Sequence, residues 1–384
     1  MKRLKYLTAG ESHGRGLLGI LEGFPAGVEI TQEYISAQLA RRQLGYGRSK
    51  RMVIEQDLAE IWSGVRLGKT LGSPIGLLLR NRDWENWKKK MSVEALPEKV
   101  KKITIPRPGH ADLGGLNKFG FDDIRNVLER SSARETAMRV GLASFCRKLL
   151  EDLGIEVGSR VTRIYNVSDD SKLPSLSPAA MSKKADLSPV RCLNPQNSAE
   201  MVEAIDKAEK AGDSVGGIIE LTAAGLPYGL GSYTHWDRKL HARIAAAMLS
   251  INAFKGIEIG AGFESAELLG SEIHDEIGWE KDKYIRFSNN AGGLEGGMTN
   301  AQPILLRLVM KPIPTLIKPL RSVDIKTKQK QEAHKERTDV CAVPAASVIS
   351  ESMLCLVLAD ALLEKFGGDE LQQIKKHMQF SAKY

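Results

Sequence analysis

The segment from Ala345 to Phe366 reads as a helix that is strongly apolar around its circumference. A helix of that kind has almost no side to offer water, so it is expected to be buried on more than one side. Whatever this chain folds into must therefore build layers around a central helix. That requires a large core. The 384 residues, 42% apolar and 27% charged, supply one of ordinary globular composition. Length alone allows two or three domains, or a single large one. No uninterrupted apolar run approaches the ~18 residues of a membrane span, and Met1 to Thr8 lacks the apolar stretch of a signal peptide. No membrane partner is expected. Cys146, Cys192, Cys341 and Cys355 lie far apart with no Cys-x-x-Cys pair, which argues against a disulfide scaffold and a zinc knuckle and for a reducing, cytoplasmic setting.

Punctuation along the chain outlines the other elements. Gly23–Gly27 is turn chemistry. Thr31 caps a helix that runs to Leu44 and stops at Gly45. Met52–Glu55, Ile75–Arg80, Gly216–Leu221 and Ile304–Met310 read as strands. Asp83–Lys90 reads as an exposed insertion, and Asp122–Leu150 as a helical region interrupted by Ser131-Ser132-Ala133-Arg134. Asp169–Pro189, rich in Ser, Pro, Lys and Ala, is the linker candidate. Ala199–Ala211 and Asp237–Phe254 complete the helices. Two short echoes occur in the same order: Gly23-Phe24-Pro25-Ala26-Gly27 with Gly225-Leu226-Pro227-Tyr228-Gly229, and Gly154–Gly158 with Gly256–Gly260. They suggest two similar α+β halves sharing one core.

Charge narrows the partners. Lys and Arg number 55 against 47 Asp and Glu, a net charge of +8. Such an excess suits polyanions, whether nucleic acid or small phosphorylated and carboxylated molecules. Only 6% of residues are aromatic and none interleave with the basic runs, so no surface for stacking bases is evident and nucleic acid is disfavoured. The basic residues gather instead in restrained loops. Arg41, Arg42, Arg48, Lys50 and Arg51 lie on the end of one helix and in the Gly-rich loop Gly45–Arg51. That loop is expected to be mobile until an anion orders it, and so to act as a lid. Arg107 and His110 flank Pro108-Gly109.

Several familiar chemistries find no support. Ser63–Thr70 ends like a phosphate-binding P-loop, but Ser63 stands where the motif needs Gly and Gly72-Ser73-Pro74 breaks the required helix. No histidine pair has metal-ligand spacing on a helix, and no Gly-x-Ser-x-Gly elbow or dinucleotide fingerprint appears. What remains is a set of His, Arg and small residues: Gly10-Glu11-Ser12-His13-Gly14, Arg107–Asp112, Glu129–Glu135, Lys311–Thr315 and Arg337-Thr338-Asp339. Arg forks bind phosphate and carboxylate bidentately, so a small substrate carrying both groups is implied.

At these residues the chain resembles the chorismate synthases. The motifs are Gly10-Glu11-Ser12-His13-Gly14-Arg15-Gly16, Glu129-Arg130-Ser131-Ser132-Ala133-Arg134-Glu135-Thr136-Ala137 and Arg337-Thr338-Asp339-Val340-Cys341-Ala342-Val343-Pro344-Ala345-Ala346. Arg41-Arg42-Gln43, Gly47-Arg48, Arg107–Asp112, Gly256–Gly260, Asn290–Gly293 and Gly296–Asn300 stand between them, so the likeness spans nearly the whole chain. Ala301 departs from it, standing where the family usually has Gly.

The resemblance implies a carbon–oxygen lyase. It performs the trans-1,4 elimination of phosphate from 5-enolpyruvylshikimate 3-phosphate to chorismate, the last step of the shikimate pathway toward aromatic amino acids. The step requires reduced flavin mononucleotide (FMN) without net redox change. The implied fold is a single α+β domain over residues 1–384, with helices sandwiched between antiparallel sheets, and the implied assembly is a homotetramer. Some members reduce flavin themselves with NADPH. This chain shows no dinucleotide motif, so an external flavin reductase is expected. By the same resemblance His13 protonates the leaving phosphate, His110 stabilises the flavin's negative charge, and Asp339 holds or deprotonates the flavin nitrogen that takes the substrate proton. Ser12, Arg42, Arg48, Arg51, Arg107, Arg134 and Arg337 are the substrate-binding candidates. Arg42, Arg48, Ser132, Ala133, Arg134, Asn252, Ala253, Gly296, Lys311, Pro312, Ile313, Pro314, Thr315 and Arg337 match flavin-contacting positions.

Overall fold

The structure, a computed structural model, describes residues 2–48, 57–172, 175–334 and 339–381. Its strands in chain order are β1 (Lys5–Ala9), β2 (Gly16–Glu22), β3 (Ala59–Ser63), β4 (Val65–Arg66), β5 (Lys69–Thr70), β6 (Ile75–Arg80), β7 (Glu156–Ile164), β8 (Val167–Ser168), β9 (Gly217–Ala224), β10 (Phe254–Ile259), β11 (Ile277–Glu280), β12 (Lys283–Arg286), β13 (Leu294–Glu295), β14 (Met298–Thr299), β15 (Ile304–Met310), β16 (Arg321–Val323) and β17 (Lys330–Glu332). The helices are α1 (Gln32–Gln43), α2 (Trp84–Trp87), α3 (Asp112–Phe119), α4 (Arg125–Leu128), α5 (Thr136–Asp152), α6 (Pro178–Asp186), α7 (Pro195–Lys210), α8 (Leu240–Leu249), α9 (Gly270–Ile273), α10 (Val343–Phe366) and α11 (Leu371–Ser381). The chain is thus mixed α and β.

Two larger sheets, both antiparallel, carry the structure. The first is ordered β1-β2-β6-β3 and the second β8-β7-β9-β15-β10. Alternation along β2 and β6 explains the first. Leu17 and Leu21, with Ile75, Leu77 and Leu79, point inward, whereas Leu18 and Ile20 remain exposed. Leaving out the short β8, both sheets place the fourth strand in chain order between the second and the third. The two Gly-Pro-Gly loops are also held alike. Thr70 Oγ1 donates to the Pro25 carbonyl (2.7 Å) and accepts from the Val28 N–H (3.0 Å). Thr299 Oγ1 donates to Pro227 (2.6 Å) and accepts from Leu230 (2.9 Å).

The helical interior is set by patterning and caps. Thr31 Oγ1 accepts from the Tyr34 N–H and starts α1, which turns Ile35 and Leu39 inward. α5 packs on β1, β2 and β6, α10 packs on β7 and β9, and α5 and α10 pack on each other. Of the 24 residues of α10, 22 are buried, so its apolar circumference is used in full. Its few polar side chains are satisfied internally: Ser347, Ser350 and Ser352 return their hydroxyls to carbonyls of the preceding turn. α10 does have the length and mean hydropathy (1.8) of a membrane span, contrary to the sequence expectation. All of its most apolar stretch lies inside the fold.

Several sequence expectations change. Val65–Thr70 forms the β4–β5 hairpin, which removes the P-loop reading on structural grounds. Asp169–Pro189 is not a bare linker: Ser177 caps α6, and Met181 and Ala185 bury into the core. The interruption expected within Asp122–Leu150 is present: the region divides into α4, a 3₁₀ turn at Ala133–Glu135 and α5. The helix expected over Asp237–Phe254 is confined to Leu240–Leu249, because Lys239 is extended and Phe254 already belongs to β10. Met52–Glu55 lies outside the described residues.

Candidate active site

The loop before β2 carries Ser12 and His13, and one buried side chain shapes it. The Asn81 amide nitrogen donates to the carbonyls of Glu11 (3.2 Å), Ser12 (3.3 Å) and Gly14 (2.8 Å). Its oxygen accepts two bonds from Arg134 (3.1 and 3.0 Å). Arg134 in turn donates to Asp57 (2.5 Å), which lies 3.6 Å from Arg42. Arg42 also donates to Thr136 and to the Ala133 carbonyl. Burial pushes the Arg42 guanidinium down to about 10, although Asp57 pulls it upward. Arg42 and Arg134 were expected to bind substrate and flavin. Both are buried, and their described bonds to Asp57, Asn81 and the Ala133–Thr136 turn build the floor of the candidate site.

His13 is held on two sides. Its Nδ1 lies 2.9 and 3.1 Å from the Glu129 carboxylate, which also accepts from the His13 backbone N–H (2.9 Å). The imidazole stacks on Trp87, with ring centroids 3.8 Å apart and planes 25° apart. Asp83–Lys90 is therefore not merely an exposed insertion: α2 delivers an aromatic wall to the histidine, because Asp83 accepts from the Trp87 indole N–H and fixes its orientation. Burial alone would raise the Glu129 carboxyl. Hydrogen bonding to His13 and the charge of Arg125 outweigh it and leave the carboxyl below its ordinary range.

His110 is built similarly. Asp112, fully buried at the start of α3, accepts from Arg107 Nε (2.9 Å), the Arg107 backbone N–H (3.0 Å) and His110 Nδ1 (2.6 Å). Burial opposes ionisation of Asp112, yet His110 and Arg107 together hold it well below the usual carboxylate range.

Backbone contacts join the two histidine clusters. Ser132 Oγ donates to Ser12 Oγ (3.2 Å), and the Asn252 amide donates to the Ser131 carbonyl (3.0 Å). The Lys311 N–H bonds the Ala253 carbonyl (2.9 Å), while its ammonium donates to Gly109 (3.0 Å), next to His110. Ala253 adopts φ +67°, an uncommon conformation for a residue with Cβ. Ile313 accepts from Ser214, Val215 N–H bonds Val340, and Val340 follows Asp339. Pro312, Pro314 and Thr315 belong to that same segment. Gly296 sits at the tip of the β13–β14 hairpin, with open space where a Cβ would be; it is Gly297 that bonds the start of α8, and among the described contacts none ties Gly296 to this path.

Asp339 pairs with Arg48 at 3.1 Å. Arg337 and Arg51, substrate-binding candidates, lie outside the described residues. Asp339 is not the cap of α10: the helix begins at Val343, and its N-cap position is Ala342. Of the loop Gly45–Arg51, read as mobile without an anion, residues 49–51 lie outside the described residues, and Gly45–Arg48 is anchored by the protein itself. Tyr46 bonds Pro189 and Asp206, and the Gly47 carbonyl accepts from Val340 and Cys341.

Comparisons with known proteins give the family. Residues 4–363 match the family described as chorismate synthase. The chorismate synthase of Aquifex aeolicus (strain VF5) is 54% identical, over 99% of this chain and 97% of that protein. That of Geobacillus sp. (strain WCH70) is 53% identical over 99% of each. A crystal structure of chorismate synthase superposes with a TM-score of 0.81 at 43% identity, covering 100% of this chain and 98% of the other. The chain belongs to the chorismate synthase family. Its reaction is accordingly the lyase step that eliminates phosphate from 5-enolpyruvylshikimate 3-phosphate to give chorismate.

Sequence reasoning missed Asn81, Asp57, Trp87 and the separate parts of Glu129 and Asp112. The last two were inside quoted motifs, but only Asp112 stands beside its histidine; Glu129 lies in a separate motif 116 positions from His13. Asp57 and Asn81 carry no local signal, since only folding brings them to Arg134.

Proposed function

We propose that chorismate synthesis in this chain runs at the surface joining His13, Ser132, Asn252, Lys311, His110 and Asp339, with reduced FMN as the resident cofactor. The observation that carries the reading is the unbroken path of hydrogen bonds between the two histidine clusters. The residues present fit an anionic flat group. Burial and then the neighbouring Lys255 disfavour the charge on Lys311, so an anion there would relieve it, and Gly109 brings bare backbone toward Lys311 and Pro314. Lys311 to Thr315, Asn252-Ala253 and Ser132–Arg134 would hold the group. When bound, reduced flavin supplies electron density and a proton acceptor to a reaction without net redox change.

The chain's own residues do the rest. As the C–O bond breaks, its electron pair leaves with phosphate, and His13 donates a proton to that oxygen. The pair of the broken C–H bond becomes the new double bond. Asp339 receives that proton or orients its acceptor, while His110, fixed by Asp112, compensates negative charge. Arg48 and Arg107, with Arg51 and Arg337, supply charge toward the substrate's phosphate and carboxylates. Ser12 orients the leaving group beside His13.

Further parts of the reading are an external flavin reductase in place of direct NADPH reduction and a homotetramer. To these we add a single domain of two pseudo-equivalent halves with α5 and α10 between their sheets, a reading supported by the matching strand orders and the paired Thr70 and Thr299 contacts. An anaerobic phosphate-release assay tests the central claim. Many turnovers are expected with chemically reduced FMN and none without flavin; equal release in both would refute it.

A further inference from the structure

We propose that Glu129 and Trp87 are positioning residues that fix the His13 ring with Nε2 directed to the leaving phosphate. The inference deepens the proton-donor role given above and rests on it. Glu129 binds the loop twice, through the His13 backbone N–H (2.9 Å) and Nδ1 (2.9 Å), so the ring cannot rotate without losing a bond to a buried carboxylate. With Nδ1 so engaged, Nε2 is the nitrogen that gives up a proton. Trp87 covers a ring face at 3.8 Å. Its π-cloud favours a cation, as the guanidinium of Arg125 at 5.1 Å and the ammonium of Lys90 at 4.8 Å from the indole centroid also indicate.

The charges around His13 divide by element. From α4 and its end come Glu129 and Arg125, and from the segment after α2 comes Lys90 beyond the indole. Glu11, whose carboxylate curls over Gly14, comes from the histidine's own loop. In the elimination the C–O pair departs with phosphate, the Nε2 proton goes to that oxygen, and His13 is left neutral with its Nδ1–H still on Glu129. Solvent restores the proton after product leaves.

The test uses full-length Glu129→Gln, Glu129→Asp, Trp87→Phe and Trp87→Ala, each with chemically reduced FMN under anaerobic conditions. Glu129→Gln keeps the shape and removes the charge. Its kcat is expected to fall ~10²-fold at neutral pH, with KM within about threefold. Glu129→Asp should restore much of the lost kcat; Trp87→Ala should lower kcat in the same way and Trp87→Phe less. Nitrogen-15 shifts of the His13 ring supply a readout without turnover: wild type should show one sharp set of ring signals, and Glu129→Gln a broadened or doubled set from a ring no longer fixed. Unchanged kcat and identical ring shifts in wild type and a folded Glu129→Gln would overturn the proposal. If wild type releases no phosphate with reduced FMN, the functional reading fails on its own while the ring shifts still decide this one.

Discussion

A single side chain decides local conformation at Ala301. It holds φ +63°, where a Cβ crowds the backbone, at the position where this chain departs from the family's usual Gly. Ala301→Gly is therefore expected to raise stability by about 1 kcal/mol, read as a higher urea midpoint at unchanged slope. Asp339 is the reverse case under the proposed function, a group fixed for chemistry. Its carboxylate faces Arg48 and does not cap α10. Asp339→Asn should fold and bind FMN nearly normally yet turn over at least ~10²-fold more slowly. Flavin titration beside the phosphate-release assay checks this, and near-normal turnover would take Asp339 out of the proton path. Both histidines were legible as residues in restrained loops. Their carboxylate partners were not: Asp112 lies two positions from His110, but Glu129 is 116 positions from His13.

Among the elements, α10 carries the largest electrostatic commitment. Glu351, fully buried on it, accepts from Arg41, Arg147 and Arg191 and from the hydroxyls of Ser159 and Ser182. Arg41 and Arg191 also pair with Asp186 of α6. Burial pushes the Glu351 carboxyl up, but the three guanidiniums outweigh it and hold it well below the ordinary range. Glu351→Gln leaves three buried cations short of a counter-charge, and a loss of about 3–5 kcal/mol in denaturant unfolding is expected. The same depression fixes the pH dependence. The stabilisation is complete above the unfolded carboxyl's value of ~4.3 and is lost as pH falls below it toward the folded value. Wild type should therefore lose stability through that acid window, and Glu351→Gln should lose less there. A parallel pH curve for the two would show that Glu351 is not the source. Periodicity revealed α10 and α1 because their burial repeats along the sequence. It missed α6, whose few apolar positions sit among Ser, Lys and Pro, and it misread α2, whose role depends on a histidine about seventy residues away.

At the scale of the whole molecule, one large apolar core runs from Leu4, just before the first sheet, to Ile374 on α11, and a small second cluster gathers Leu116, Ile124, Val127 and Leu128. Asp360 on α10 accepts from the backbone N–H groups of Lys2, Arg3 and Leu4, which fastens the beginning of the chain to its last long helix. A core shared in this way predicts one cooperative thermal transition, with calorimetric and van 't Hoff enthalpies in agreement. Two separated transitions would mean that the sheets belong to independent domains. The sequence by itself determined the helices with regular apolar periods, the strands, the basic anion-seeking character and the motif loops that place the chain among chorismate synthases. Each of these is written in neighbouring residues, where spacing and residue type act directly. Only the tertiary structure decided that Arg42 and Arg134 build the floor, that Arg48 faces Asp339, that Gly45–Arg48 is anchored, and that Trp87 stacks on His13. Those outcomes depend on contacts between segments far apart in the chain, where burial and the need to pair buried charge select the partner.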